Sequence, residues 1–378
     1  MAAAIDDDNN NMKKKRRKVP FPNSILDRQA LEQALDDHGI TTLKRLHLDA
    51  FYQILHRQHY PDLKSFVETY YKHDRKEEED EQGKARISED RCHNHPETDH
   101  PPKPLKNAIS KKKKYKNRIQ LPKVFLDYLA TTNDFVTVTS RVQHSVTSGD
   151  QMTTKFMVEL WDGQVVESVL MRYAKKGQGR ASLCVSSQCG CAMGCTFCAT
   201  GTMGLSGNLT SAEILEQLIH ANAILAKEYP KRLVENQGSG KKLDLVRNVV
   251  FMGMGEPLDN YDNVVTACRA MMDRRRWNLA HGHVTVSTVG LISQIRKLTR
   301  ELPEVSLALS LHAPNQDLRT SIVPTATRYP IERLIDAIDD HMMANSPKPL
   351  NGQSYTKEER MKESSRRRAM IEYVMRKF

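Results

Sequence analysis

Five of the chain's seven cysteines fall in one short stretch, at Cys184, Cys189, Cys191, Cys195 and Cys198. The last three form C-x3-C-x2-C. Three thiolates on one tight loop suit three corners of a cubane iron–sulfur cluster, with the fourth iron left free. A structural zinc site ordinarily takes four ligands, commonly as two separated C-x2-C or C/H pairs. Outside this stretch the chain offers only Cys92 and Cys268. Zinc and ordinary buried thiols are thus the two alternatives to a cluster. Phe197, just before the last cysteine, would give the site an apolar wall.

The elements that must position these residues read as alternating strands and helices. An apolar run over 181–185 leads into the cysteines, and an amphipathic stretch over 211–226 follows, with Ser211 as its cap candidate. The cysteines therefore sit after a strand and before a helix, where α/β sheets place their chemistry. Further strands are predicted over 248–252, 284–288, 305–311 and 368–375. Helices are predicted over 211–228, 262–272, 293–302 and 331–343. The strand over 248–252 runs into Gly253-Met254-Gly255-Glu256-Pro257. Glycines at a strand end let backbone approach a ligand, and Glu256 offers an acceptor to an ammonium group. Upstream, segments over 136–138, 155–161 and 165–171 alternate in the strand manner, with Asp162-Gly163 as a hairpin turn. Taken singly, Glu167 is a strand carboxylate facing solvent, and Ser287 and His312 are hydrogen-bonded groups near the core.

C-x3-C-x2-C with an aromatic before its last cysteine resembles the radical S-adenosylmethionine (SAM) enzymes. SLCVSSQCGCAMGCTFCATG, NVVFMGMGEPLDN, VTVSTVG, LALSLHAPN and IVP, in that order, resemble the RlmN/Cfr family of RNA adenine methyltransferases, from about Val165 to about Met375. The resemblance implies an α/β fold: a partial (β/α)6 barrel preceded by a strand hairpin and a small helical N-terminal domain that contacts RNA. It implies that Cys191, Cys195 and Cys198 ligate a 4Fe–4S cluster. It further implies that Gly255, Glu256, Ser287, Ser310, Leu311 and His312 contact SAM. The activity implied is methylation of adenine C2 in ribosomal and transfer RNA. Glu167 falls at the family's general-base position. Cys184 matches a cysteine that closes the cycle by forming a disulfide with a methyl-carrying cysteine. An electron donor of the flavodoxin or ferredoxin type is implied as well. Cys189 and Cys268 match no catalytic position and read as ordinary thiols.

The sequence also departs from the family. No cysteine follows Cys268, so the family's C-terminal methyl-carrying cysteine has no counterpart here. The stretch over 368–375 looks like a fifth barrel strand, and the expectation is a barrel cut after about that strand. A catalytically inactive, truncated RNA-binding isoform is the alternative reading.

Composition bounds the rest. With 57 Lys and Arg against 46 Asp and Glu among 378 residues, the formal charge is +11, which favours a polyanionic partner. No apolar run reaches membrane-spanning length, and the N-terminus lacks the apolar core of a secretory signal. The expectation is a soluble cytoplasmic monomer without a membrane partner, the nucleus and organelles being left open. Residues 1–22 read as a disordered basic tail carrying Lys13 to Lys18, either an import address or a phosphate-binding arm. Residues 23–74 read as a helical domain, with Asp27 and Pro61-Asp62 at helix starts. Residues 75–119 read as a charged linker, with Cys92, His93, His95 and His100 too Pro-rich in context for a metal site. Residues 120–175 read as a strand-rich region leading into the barrel, which occupies 176–378.

Overall fold

The computed structural model describes Arg17 and residues 22–55, 62–72, 119–175, 178–228, 246–344 and 370–375. The rest of the basic tail, nearly all of the linker and the stretch containing Cys92 lie outside the described residues. The chain divides into two compact units, residues 28–137 and residues 1–27 with 138–378.

The unit spanning 28–137 is helical. It holds α1 (Arg28–Asp37), α2 (Arg45–Leu55), α3 (63–72) and α4 (Lys123–Thr131). Leu31, Leu35, Phe51, Phe66 and Phe125 are buried. The Phe51 ring lies 5.1 Å from Phe66 and 5.2 Å from Phe125, both edge-on, the geometry the ring quadrupole favours. Asp62 opens α3 as its sequence position suggested, its Oδ1 accepting the Ser65 N–H at 2.6 Å. α4 lies in a stretch expected to be rich in strands. Its apolar residues Phe125, Leu126 and Leu129 recur at helical spacing and are buried.

The other unit is built on an eight-stranded, mostly parallel sheet with helices. Besides a two-residue strand at Asn23–Ser24, its strands in chain order are β1 (Arg141–Thr147), β2 (Thr153–Glu159), β3 (Val165–Lys175), β4 (Gln178–Cys184), β5 (Gln188–Gly190), β6 (Leu205–Asn208), β7 (Val246–Phe251), β8 (Val284–Thr288), β9 (Ser306–Ser310) and β10 (Met370–Glu372). The large sheet has the order β10-β9-β8-β7-β4-β3-β2-β1, and β5 pairs with β6 in a ribbon of their own. β1 to β4 are joined antiparallel, whereas β4, β7, β8, β9 and β10 run parallel. The β2–β3 turn falls at Asp162-Gly163: Gly163 takes φ +80°, and the Leu160 N–H reaches the Gln164 carbonyl at 2.8 Å. β1 has no counterpart in the sequence reading, because all seven of its residues are exposed and no burial alternates along it.

The helices are α5 (Ala199–Thr202), α6 (Ser211–Glu228), α7 (Tyr261–Met272), α8 (Ile292–Glu301), α9 (Gln316–Ile322) and α10 (Ile331–Ala344). α6 starts at Ser211, but its cap is one residue earlier. Glu213 N–H donates to Thr210 Oγ1 at 3.2 Å while Thr210 N–H donates to Glu213 Oε2 at 2.9 Å, a reciprocal capping box. The last strand is shorter than expected, three residues instead of the stretch over 368–375.

Register divides the sheet into two faces. Leu183, Val249, Val286 and Leu307 are buried on one face. On the other, Val169 pairs with Cys184, Cys184 with Val250, Val250 with Thr285, Ser287 with Ala308, and Ser310 with Glu372. Because paired residues share a face and the period is two, Glu167, Cys184, Ser287, Ser310 and Glu372 lie on one side of the sheet.

Candidate active site

The cysteine loop is closed by glycines. Cys191 N–H donates to the Gly204 carbonyl at 2.9 Å, and Gly190, at φ +79°, lies so close that a Cβ there would sit 1.8 Å from the Gly204 oxygen. Inside the loop, Cys198 N–H donates to the Cys195 carbonyl at 3.2 Å and Gly201 N–H to the Cys198 carbonyl at 3.0 Å. Met193, Cys195, Val289, Val323 and Ala326 form a buried apolar cluster, against which Cys191, Phe197 and Cys198 pack. All three predicted ligands are free cysteines.

Burial is also the main cause of the thiol pKa shifts. It raises Cys191 to about 12 and Cys195 to about 11, and in both cases the neighbouring cysteines and Glu256 add to the shift. Three thiols held together in an apolar nest ionise only beside a positive charge, and the irons of a cluster supply it. The donor set thus fits a 4Fe–4S cluster. Among the described residues, no three His, Cys, Asp or Glu side chains group closely enough to hold a single metal ion. A cubane takes one thiolate per iron and does not require that closeness.

The Met254–Glu256 turn is bound to the residues just before the cysteines. Gly253 N–H donates to the Val185 carbonyl at 3.1 Å, and Ser187 N–H and Gln188 N–H both donate to the Met254 carbonyl. Gln188 Oε1 accepts the Glu256 N–H at 2.8 Å, and Ser186 Oγ accepts the Met254 N–H at 2.8 Å. Gly255, at φ +101°, permits the approach, since a Cβ would lie 2.5 Å from the Gln188 Cβ. Glu256 is 2% exposed. Its Oε1 accepts the Leu258 N–H at 3.0 Å and its Oε2 the Val289 N–H at 2.9 Å, so one carboxylate joins the ends of β7 and β8. Burial lifts its pKa to about 7 despite those hydrogen bonds.

Further along the strand ends, Ser287 Oγ and Ser310 Oγ lie 3.0 Å apart, and both donate to Glu372 Oε2, at 3.0 and 2.7 Å. Leu311 follows at the end of β9. His312 has φ +63°, an uncommon backbone state outside glycine, and its N–H donates to the Glu372 carbonyl at 3.0 Å. Its ring meets Phe197 edge-on at 4.6 Å, and its buried Nδ1 has no partner among the described residues. Burial lowers its pKa, favouring the neutral ring. An orphaned nitrogen between the cysteine loop and the serine pair is the kind of group a bound polar ligand satisfies.

Cys184 ends β4. Burial raises its pKa to about 11, with Glu372 and Glu167 adding to the shift, so it rests as a neutral thiol. Glu167 shares that face but is only part buried, and its carboxylate pairs with Lys155. Cys189 is buried with Arg17, Glu213 and Asp162 as its charged neighbours, and Cys268 is buried in α7. The sequence reading did not single out Ser186, Gln188, Arg319 or Glu372. Ser186 and Gln188 lay within the quoted motif. Arg319 and Glu372 carried no local signal.

This site and sheet define a class, and comparison with known proteins agrees. Residues 185–347 match the Radical SAM superfamily. A crystal structure of a radical SAM methyltransferase from Sphaerobacter thermophilus superposes with a TM-score of 0.50 at 36% identity, covering 67% of this chain and 70% of that one. The chain belongs to the radical SAM superfamily. Its curated relatives within it include a probable dual-specificity RNA methyltransferase RlmN from Moorella thermoacetica, 42% identical over 217 residues, 57% of each chain. A second such protein, from Dictyoglomus thermophilum, is 45% identical over 192 residues, 50% of this chain and 49% of the relative. The chain thus spans about half the length of the curated relatives it matches.

Proposed function

We propose that this chain is the radical SAM portion of an enzyme that methylates C2 of adenine in RNA, ribosomal and transfer RNA being the substrates. The observation that carries the reading is the joining of the Cys191–Cys198 loop to the Gly253–Glu256 turn through Ser187 and Gln188. This puts three thiols and a ligand-approaching glycine turn at one end of a parallel sheet. The RlmN relatives, dual-specificity RNA methyltransferases by name, supply the substrate class.

In this reading Cys191, Cys195 and Cys198 hold the 4Fe–4S cluster. Gly255, Glu256, Ser287, Ser310, Leu311 and His312 hold SAM. Together the two cofactors supply reductive cleavage of SAM to methionine and a 5′-deoxyadenosyl radical. The protein's own part is to orient and shield. Phe197 and the apolar cluster around Cys195 keep water from the cysteines. Glu256 presents an acceptor, and His312 Nδ1 a vacant hydrogen-bond site. Glu167 would take the C2 proton of an extruded adenine once RNA has drawn Lys155 away from it. Cys184 would give up its proton to a carboxylate on the same face and attack the sulfur of the methyl-carrying cysteine once that carbon bridges the sulfur to adenine C2: the S–S bond forms, the S–C bond breaks, and its electron pair leaves on the carbon, which takes up a proton to become the product methyl group. Neither carrier nor tail is among these 378 residues, which hold no cysteine after Cys268. The same reading gives the enzyme a cytoplasmic setting, a flavodoxin- or ferredoxin-type donor and a monomeric state. Among the described residues no helix is long and apolar enough to cross a membrane.

The test is anaerobic reconstitution with iron and sulfide, followed by separate measurement of 5′-deoxyadenosine and of 2-methyladenosine in digested RNA. Wild-type protein should show broad iron–sulfur absorbance and cleave SAM, and Cys195→Ala should do neither. Equal absorbance in the variant would overturn the ligand assignment. Methylation is expected only when the chain carries its methyl-bearing cysteine, and methyl groups at any atom other than C2 would overturn the substrate reading.

A further inference from the structure

Arg319, in α9, is 0% exposed, the largest fully buried side chain among the described residues. Its guanidinium is held by carbonyls alone: Nε donates to Leu311 at 3.2 Å, Nη1 to Tyr329 at 3.2 Å and Nη2 to Val289 at 2.5 Å. Among the described residues no carboxylate pairs with it. Arginine remains protonated in proteins, so this is a buried cation without a counter-charge, an arrangement that costs stability unless an anion is nearby. Val289, whose carbonyl it binds, lies in the same buried cluster as Cys195, and both the Cys195 thiol and the His312 ring feel its charge. The helix is also tied to the cysteine loop directly, Thr196 N–H donating to the Ile322 carbonyl at 3.0 Å.

We infer that Arg319 is a positioning residue whose fixed positive charge compensates the cluster's thiolates and raises the cluster's reduction potential. The inference rests on the cluster assignment proposed above. Three thiolates around a doubly positive cluster core leave one net negative charge, and reduction adds a second. A neighbouring cation therefore favours the reduced form more than the oxidised one. The three carbonyls fix the guanidinium at the ends of β8 and β9, behind the loop and away from water, where salt does not screen it.

The experiment is an EPR-monitored redox titration of reconstituted wild type, Arg319→Gln and Arg319→Lys, without SAM or RNA. In Arg319→Gln the reduction equilibrium should shift at least about tenfold toward the oxidised form, which for a one-electron couple is about 59 mV more negative. Arg319→Lys keeps the charge but loses the fork, and should stay within about threefold of wild type even where its unfolding temperature falls. A purely structural role predicts lowered stability with all potentials equal, and that result overturns the inference. So does an equal shift in both variants. Where Arg319→Gln takes up no cluster, Arg319→Lys decides alone: a wild-type potential upholds the charge role and a shifted one refutes it. Absence of any cluster signal in the wild type would overturn the cluster assignment itself, a distinct failure.

Discussion

Glu256 gives the site a measurable pH signature. Its carboxyl is buried, and burial moves its pKa from an ordinary 4.5 to about 7. Because the folded value lies above the unfolded one, folded protein binds the extra proton between about pH 4.5 and 7, and stability falls as pH rises through that window. The displacement corresponds to a loss on the order of 3 kcal/mol, complete above about pH 8. Glu256→Gln removes the ionisation but not the position. Its amide nitrogen must face either the Leu258 or the Val289 N–H, leaving a buried donor unmet at a pH-independent cost of about 1–3 kcal/mol. In urea unfolding of the cluster-free protein, the variant should therefore be the less stable of the two at pH 5. The gap should narrow by about 3 kcal/mol toward pH 8 and close or invert there. Subtracting the two curves removes every other titrating group. A gap constant to within about 0.5 kcal/mol would refute the reasoning. If Glu256 receives the SAM ammonium, adding SAM should flatten the wild-type slope and leave the variant's unchanged.

Other perturbations follow from the same geometry. Gly190→Ala puts a methyl group 1.8 Å from the Gly204 oxygen at a φ of +79°, so the loop cannot close; cluster uptake on reconstitution should be lost, and wild-type iron content would contradict the packing argument. Glu216 is 0% exposed and accepts from the backbone and hydroxyl groups of Thr139 and Ser140, so Glu216→Ala should cost about 3–5 kcal/mol in denaturant unfolding, and a cost under about 1 kcal/mol would show those donors finding other partners. Glu372→Ala releases both serine hydroxyls; SAM affinity by calorimetry should fall about tenfold or more, and unchanged affinity would separate Glu372 from the cofactor pocket.

The residues of the site were legible in the sequence to the degree that their signal was local. The cysteine spacing, the glycines before Glu256 and the turn at Asp162-Gly163 each express a short-range constraint, and the structure places all of them at strand ends or turns. β7, β8 and β9 were found to within a residue or two because their apolar runs are buried. Thr210 displaced Ser211 as the cap of α6 by completing a reciprocal box with Glu213, a choice between adjacent hydroxyls that only geometry makes. α4 was missed as a helix because its nine residues were read with the strands that follow.

Arg319 and Glu372 escaped for a different reason. Each is a charged residue in a short segment, where the ordinary inference is a solvated face. Glu372 becomes a site residue only because parallel pairing of β9 with β10 sets it opposite Ser310, a contact across 62 positions of chain. Arg319 is buried only because three strand-end and loop carbonyls converge on it. Long-range register has no signature in a single sequence, so charged groups recruited by it read as surface. The same logic bears on Glu167. The proposed function makes it the base, and its carboxylate is ion-paired with Lys155 and part exposed. A base that waits in a salt bridge is occupied until a polyanion competes for its lysine, which would couple proton abstraction to RNA binding. Lys155→Met should then free Glu167 without RNA. If 2-methyladenosine formation by a chain carrying the methyl-bearing cysteine loses none of its salt sensitivity in that variant, Lys155 is a bystander and the pairing is a surface contact.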